Sequence, residues 1–153
     1  MKTKFIVLFL LMSIPVMVNA QAVKDEIALI QSAFGLEKRA MIEEYMGLPN
    51  DSAFWPAYEA YEKERRELMK QRILIINEYL ENFDTMTDAK ADEIALRTIK
   101  NNANFAALHG KHFKKIKKTV SPKDAAKFLQ LDTYIQNTIL LAISESLPFI
   151  GEQ

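Results

Sequence analysis

His109 and His112 stand three residues apart in a segment with helical spacing. A His-x-x-His pair on one helix face can share a metal ion. The surroundings oppose it: Lys111, Lys114 and Lys115 would repel a cation, and no carboxylate lies within a helical turn. No metal site is therefore expected. His109 and His112 are the only candidates, and they would need an acidic residue from another helix. The adjacent acids Glu43-Glu44 and Asp92-Glu93 point to different sides of a helix, so neither pair can divide the work of acid and base. There is no Gly-rich phosphate loop, G-x-S-x-G elbow, H-E-x-x-H pair or Glu-x-x-His pattern. The chain has no Cys, which excludes disulfides, thiolate catalysis and Cys-ligated metal or iron–sulfur centres. The expectation is a protein that is not an enzyme and carries no cofactor.

Two segments could instead bind a partner. Phe54, Trp55, Tyr58 and Tyr61 place four aromatic rings close together at helical spacing. They form either the end of a helical core or an exposed apolar surface that captures another protein. Residues 111–127 hold seven basic groups and one acidic group. In that run Lys111, Phe113, Lys114, Lys115 and Lys118 form either a solvated face or a docking site for an acidic or unfolded partner. These nine residues are the candidate partner-binding set.

The elements that must position them follow from composition and spacing. The chain has 153 residues, 49% of them apolar and 26% charged, with 4 Gly and 5 Pro. That is one folded domain, with too few turn residues for a many-stranded sandwich or barrel. Residues 1–20 read as a cleavable signal peptide. Lys2 and Lys4 precede an apolar run too short to span a membrane, and Val18-Asn19-Ala20 supplies a cleavage site before Gln21. The expected product is periplasmic, soluble, not stably inserted in a membrane and without nucleic acid as a partner. Residues 21–148 form the single helical domain, and 149–153 a short tail.

The fold class is all-α, with four long helices in an antiparallel bundle or flattened hairpin cradle and no sheet. The first helix is expected over 23–46, with Ile27, Ile30, Phe34, Met41, Tyr45 and Leu48 on one face and Gly47 as its stop. The second starts at Asp51 or Ser52 and runs to about 83; Pro56 either bends its start or delays it. Its apolar stripe widens after Leu68, so that half is expected to be the more deeply buried. The third, capped by Thr85 or Thr87, runs to about 119, with a poorly packed middle at Asn101, Asn102 and Asn104. Ser121-Pro122 opens the fourth, which ends near 146.

The two helix-start segments carry a resemblance. One is Leu48-Pro49-Asn50-Asp51-Ser52, followed by Phe54-Trp55-Pro56-Ala57-Tyr58-Glu59-Ala60-Tyr61. The other is Val120-Ser121-Pro122-Lys123-Asp124, followed by Ala125-Ala126-Lys127-Phe128-Leu129-Gln130-Leu131. With the signal peptide and the Cys-free helical chain, they resemble the Spy/CpxP family of periplasmic stress proteins. The closer likeness is to its Bacteroidetes-type members, described as sensors of extracytoplasmic-function sigma factors. The likeness covers most of residues 36–148. Pro49 and Ser121 stand where the family's repeated Leu-Thr-x-x-Gln has Thr, and Ser52 and Asp124 where it has Gln. The resemblance implies a cradle-like homodimer that binds unfolded or misassembled proteins without ATP. The alternative it implies is a sensor or adaptor for a membrane-bound regulator in a sigma-factor or kinase pathway, including a metal-responsive form. The family's metal-sensing branch uses His near the mature N-terminus, where this chain has none.

Overall fold

The computed structural model describes residues 20–151, with all their side chains except those of 29–37. The signal segment therefore lies outside the described residues, apart from Ala20. Four α-helices run α1 (Ala20–Met46), α2 (Phe54–Asn82), α3 (Asp88–Ile116) and α4 (Pro122–Glu145). A 3-10 turn, Phe83–Thr85, between α2 and α3 makes a fifth helical segment that the sequence reading did not include. No strand occurs among the described residues. The helices alternate in direction. Lys24 meets Glu81 while Arg39 meets Glu59, so α1 and α2 are antiparallel. Glu64 meets Lys111 while Glu78 meets Arg97, so α2 and α3 are too. The most extensive packing is α2 on α3, then α1 on α4.

Local chemistry explains the boundaries. Gly47 ends α1 at φ +61, and its N–H donates to Glu43 O at 3.0 Å. This is the left-handed cap that glycine forms without strain. A Cβ there would meet nothing within 4 Å, so Gly47→Ala carries only the backbone cost. The expected loss is about 1 kcal/mol, read as a lower urea midpoint at unchanged slope. Helix α2 starts at Phe54, later than Asp51 or Ser52, so that Pro56 falls within the first turn, where no intrahelical N–H is required. Thr87 caps α3, accepting from Lys90 N at 3.2 Å. Ser121 caps α4 with Pro122 at its first turn; Ser121 Oγ accepts from Asp124 N at 3.0 Å.

The core differs from the expected one at two points. On α1 the buried apolar side chains among those described are Ile27, Ile42 and Met46, whereas Tyr45 is exposed beneath the Lys127 ammonium, 4.6 Å from its ring centroid. Ile30 and Phe34 lie outside the described side chains. On α2 the narrow aromatic half, not the wide aliphatic half, is the deeper. Phe54, Trp55, Tyr58 and Tyr61 are all buried, whereas in the wide half Ile75, Ile76 and Leu80 are buried but Leu68, Met69 and Ile73 are half-buried and Leu74 is exposed. The reason lies in what covers each half. Phe128 of α4 packs edge-on against Phe54, Tyr58 and Tyr61, with centroids 5.4, 5.8 and 5.7 Å apart. Near the far end, α2, α3 and α4 stand apart around a groove.

Candidate functional site

At the closed end of the bundle, the centre is polar. Lys38 of α1, Glu62 and Tyr61 of α2, His109 of α3 and Asp132 of α4 meet there. Lys38 pairs with Glu62, and its Nζ lies 2.5 Å from Asp132 Oδ1. Oδ1 takes no aligned hydrogen bond, so its contact with Lys38 is a charge contact. The Tyr61 hydroxyl donates to Asp132 Oδ2, and His109 Nε2 lies 3.1 Å from the same oxygen. Arg65 donates through Nε to Glu62 Oε1 at 2.9 Å. Asp132 is 0% exposed and Lys38 and Glu62 are 4% exposed, so this is an interior salt bridge.

Burial alone would raise the Asp132 carboxyl. The hydrogen bond with His109 and the Lys38 ammonium outweigh it, with help from Tyr61, and hold the group at about 2. Tyr61 is driven far above its ordinary range, first by burial and then by the charge of Asp132. Tyr61 therefore stays protonated and donates. The arrangement joins all four helices and presents no open carboxylate to a substrate.

The two histidines do not share a ligand position. His109 turns to Asp132, whereas His112 Nε2 lies 3.2 Å from Glu64 Oε1. Burial lowers the His112 pKa, against the opposing pull of Glu64. Among the described residues no group of three or more His, Cys, Asp or Glu is placed to hold a metal ion.

The nine residues expected to bind a partner fall into two sets. Phe54, Trp55, Tyr58 and Tyr61 are buried core, the first of the two readings open for them, and offer no surface in this chain. Trp55 Nε1 donates to Pro49 O at 2.8 Å, and the Arg39 guanidinium covers its ring 4.1 Å from the centroid. Lys114, Lys115 and Lys118 are exposed, Phe113 is half-buried, and Lys111 is paired with Glu64 at 2.7 Å. The structure therefore does not bring aromatic and basic residues together on one face.

The exposed apolar surface lies elsewhere. At the open end a groove of about 660 Å³ runs between α2, α3, α4 and the segment after α4. Its floor includes Ile76, Ile94 and Ile143, and at its edge Ile99, Phe149 and Ile150 are 63%, 71% and 64% exposed. Tyr79 OH fixes the segment after α4 by donating to Pro148 O at 2.6 Å. Sequence reasoning missed this groove because the spacing of Ile99 reads as a helix side and 149–153 as a tail. The signal available was the pair Phe149-Ile150, two large apolar residues just after a helix-ending proline. No helix among the described residues is long and apolar enough to cross a membrane. Comparison with protein-family models, curated proteins and solved structures finds no match to the chain.

Proposed function

We propose that this chain is an exported, non-enzymatic protein that binds unfolded or misassembled polypeptides without ATP, the activity implied by its resemblance to the Spy/CpxP family. The observation that carries the reading is the apolar rim of the open end, where Ile99, Phe149 and Ile150 are each more than half exposed. Exposed apolar residues grouped around a groove are characteristic of an interaction surface. Client side chains meeting such a rim gain modest apolar contact, which keeps release fast. The basic run from Lys111 to Lys118, outside the groove, attracts acidic clients at long range. Periplasmic location and a homodimeric cradle belong to the same proposal.

The test is light scattering of two unrelated aggregating proteins with the purified chain added at near-equimolar concentration and no ATP. Suppression of both is expected. The double variant Ile99→Asp, Phe149→Asp should lose most of it, while its circular dichroism stays helical because both positions are exposed. A helical wild-type chain that protects neither client would overturn the reading and favour a sensor or adaptor with one dedicated partner.

A further inference from the structure

Arg72 is the one charged residue among those lining the groove at the open end. Its Nε donates to Asn101 Oδ1 at 2.9 Å, and a terminal nitrogen donates to Asn102 Oδ1. Its guanidinium carbon lies 5.6 Å from the Phe105 ring centroid. Both acceptors are neutral amides. Arg39, Arg65 and Arg97 each hold a glutamate, whereas Arg72 has no carboxylate partner among the described residues. Burial lowers its pKa, and no acidic group offsets that. A guanidinium has five N–H donors in a planar fork, so donors beyond the two amide bonds remain for a ligand.

Of the other polar groups around the groove, the three hydroxyls each donate to a backbone carbonyl. Thr98 Oγ1 donates to Ile94 O at 2.9 Å, Ser144 Oγ to Leu140 O at 2.8 Å, and Tyr79 OH to Pro148 O at 2.6 Å. Arg72 and Asn102 stand together at one point of the groove, so an extended peptide laid along the floor would find partners for few of its N–H and C=O groups. An alkyl chain has no such groups. The volume of about 660 Å³ also falls within the usual range of small-molecule sites, roughly 300–1,000 Å³.

The geometry points to a binding site for a long-chain fatty-acid anion, with its alkyl chain along Ile76, Ile94, Ile143 and Leu147 and its carboxylate on Arg72. An isolated guanidinium beside an apolar trough complements a molecule that has one carboxylate and a hydrocarbon body. The site goes beyond the client reading and does not depend on it. Clients meet the exposed rim, and the acid occupies the floor.

Calorimetric titration of the delipidated chain with dodecanoate, dodecanol and dodecyltrimethylammonium, all below micelle-forming concentration, reads the ligand directly and is independent of client protection. Dodecanoate should bind with one-to-one saturation, and the other two at least about 10-fold more weakly. Decanoate should bind roughly 10-fold more weakly than dodecanoate, because two buried methylenes are lost. Arg72→Met should weaken dodecanoate by about 10–100-fold, to the level of dodecanol, and Arg72→Lys should recover part of the loss. Removing Arg72 leaves buried Asn101 without a donor, so a second variant guards against misfolding. Ala95→Phe fills the groove from an exposed position and should block all three probes. Equal affinity for the acid and the alcohol would mark a plain apolar surface suited to a protein partner and would overturn the proposal. So would an unchanged affinity in Arg72→Met, or no saturable binding by the helical wild-type chain.

Discussion

Asp132→Ala is expected to lower stability by about 3–5 kcal/mol, the usual effect of removing one partner from a buried charge pair. Urea denaturation measures it. The residue is 0% exposed, so the groups that face it lose a buried acceptor, although His109 keeps some contact with solvent at 21% side-chain exposure. Lys38 keeps Glu62, but the Tyr61 hydroxyl and His109 lose their shared acceptor. By contrast, Lys24–Glu81 and Lys70–Glu67 lie at the surface, where removing a partner costs about 0–1 kcal/mol. The same carboxylate sets an acid limit. Its folded pKa of about 2 lies below the ordinary 3.8. A depressed carboxyl pKa stabilises the fold above the unfolded value and loses that effect as pH falls through the folded one. Asp132 therefore contributes about 2 kcal/mol above pH ~4, lost between pH ~4 and pH ~2. A stability-against-pH series should show that acid limb in the wild type and a shallower one in Asp132→Ala. Equal slopes would mean that the contact with Lys38 and His109 does not tune the group.

Phe128→Ala should cost about 3–5 kcal/mol, mostly as a cavity at the closed end. Phe128 is 4% exposed and is the ring that Phe54, Tyr58 and Tyr61 share. Each edge-to-face contact adds about 0.5–1.5 kcal/mol beyond area alone. The neighbouring rings are packed against Trp55 and against Lys38 and Arg39 of α1, which limits how far the space can close by relaxation. Phe128→Leu, which refills much of the volume, should recover a good part of the loss. A loss below about 1 kcal/mol in thermal or urea unfolding would show that the aromatic end is not the tightest part of the core.

Much of the architecture is legible in the sequence. Apolar spacing marks four helices, and Gly47, Ser121-Pro122 and the Thr85/Thr87 pair, of which Thr87 is the cap, mark ends, because caps depend on residues within a few positions. What was not readable depends on pairings between distant residues. Lys38, Glu62 and Asp132 belong to residue types that usually face solvent, and nothing in their spacing announces partners on other helices. His109 therefore read as a metal candidate when its partner is Asp132. The depth of the aromatic residues was likewise decided by Phe128, more than sixty positions along the chain. The Asn101 side chain, expected to loosen α3, instead donates to Leu68 O at 3.0 Å and accepts from Arg72. A polar break in a stripe thus became a join between helices. The groove arose because the segment after α4 comes back to Tyr79, a contact that helical periodicity does not encode.

The four-helix meeting at Asp132 also acts as a vernier on the bundle. Apolar faces alone tolerate sliding, since one isoleucine can replace another in the same hollow after a shift of one turn, ~5.4 Å. Lys38, Tyr61, His109 and Asp132 each come from a different helix. A one-turn slip of any helix separates at least one of them from its partner and strands a buried polar group. The axial alignment of all four helices is therefore set at a single level of the molecule. From that level α2, α3 and α4 carry the alignment down their length, and it fixes where Arg72 stands relative to the isoleucines of the groove.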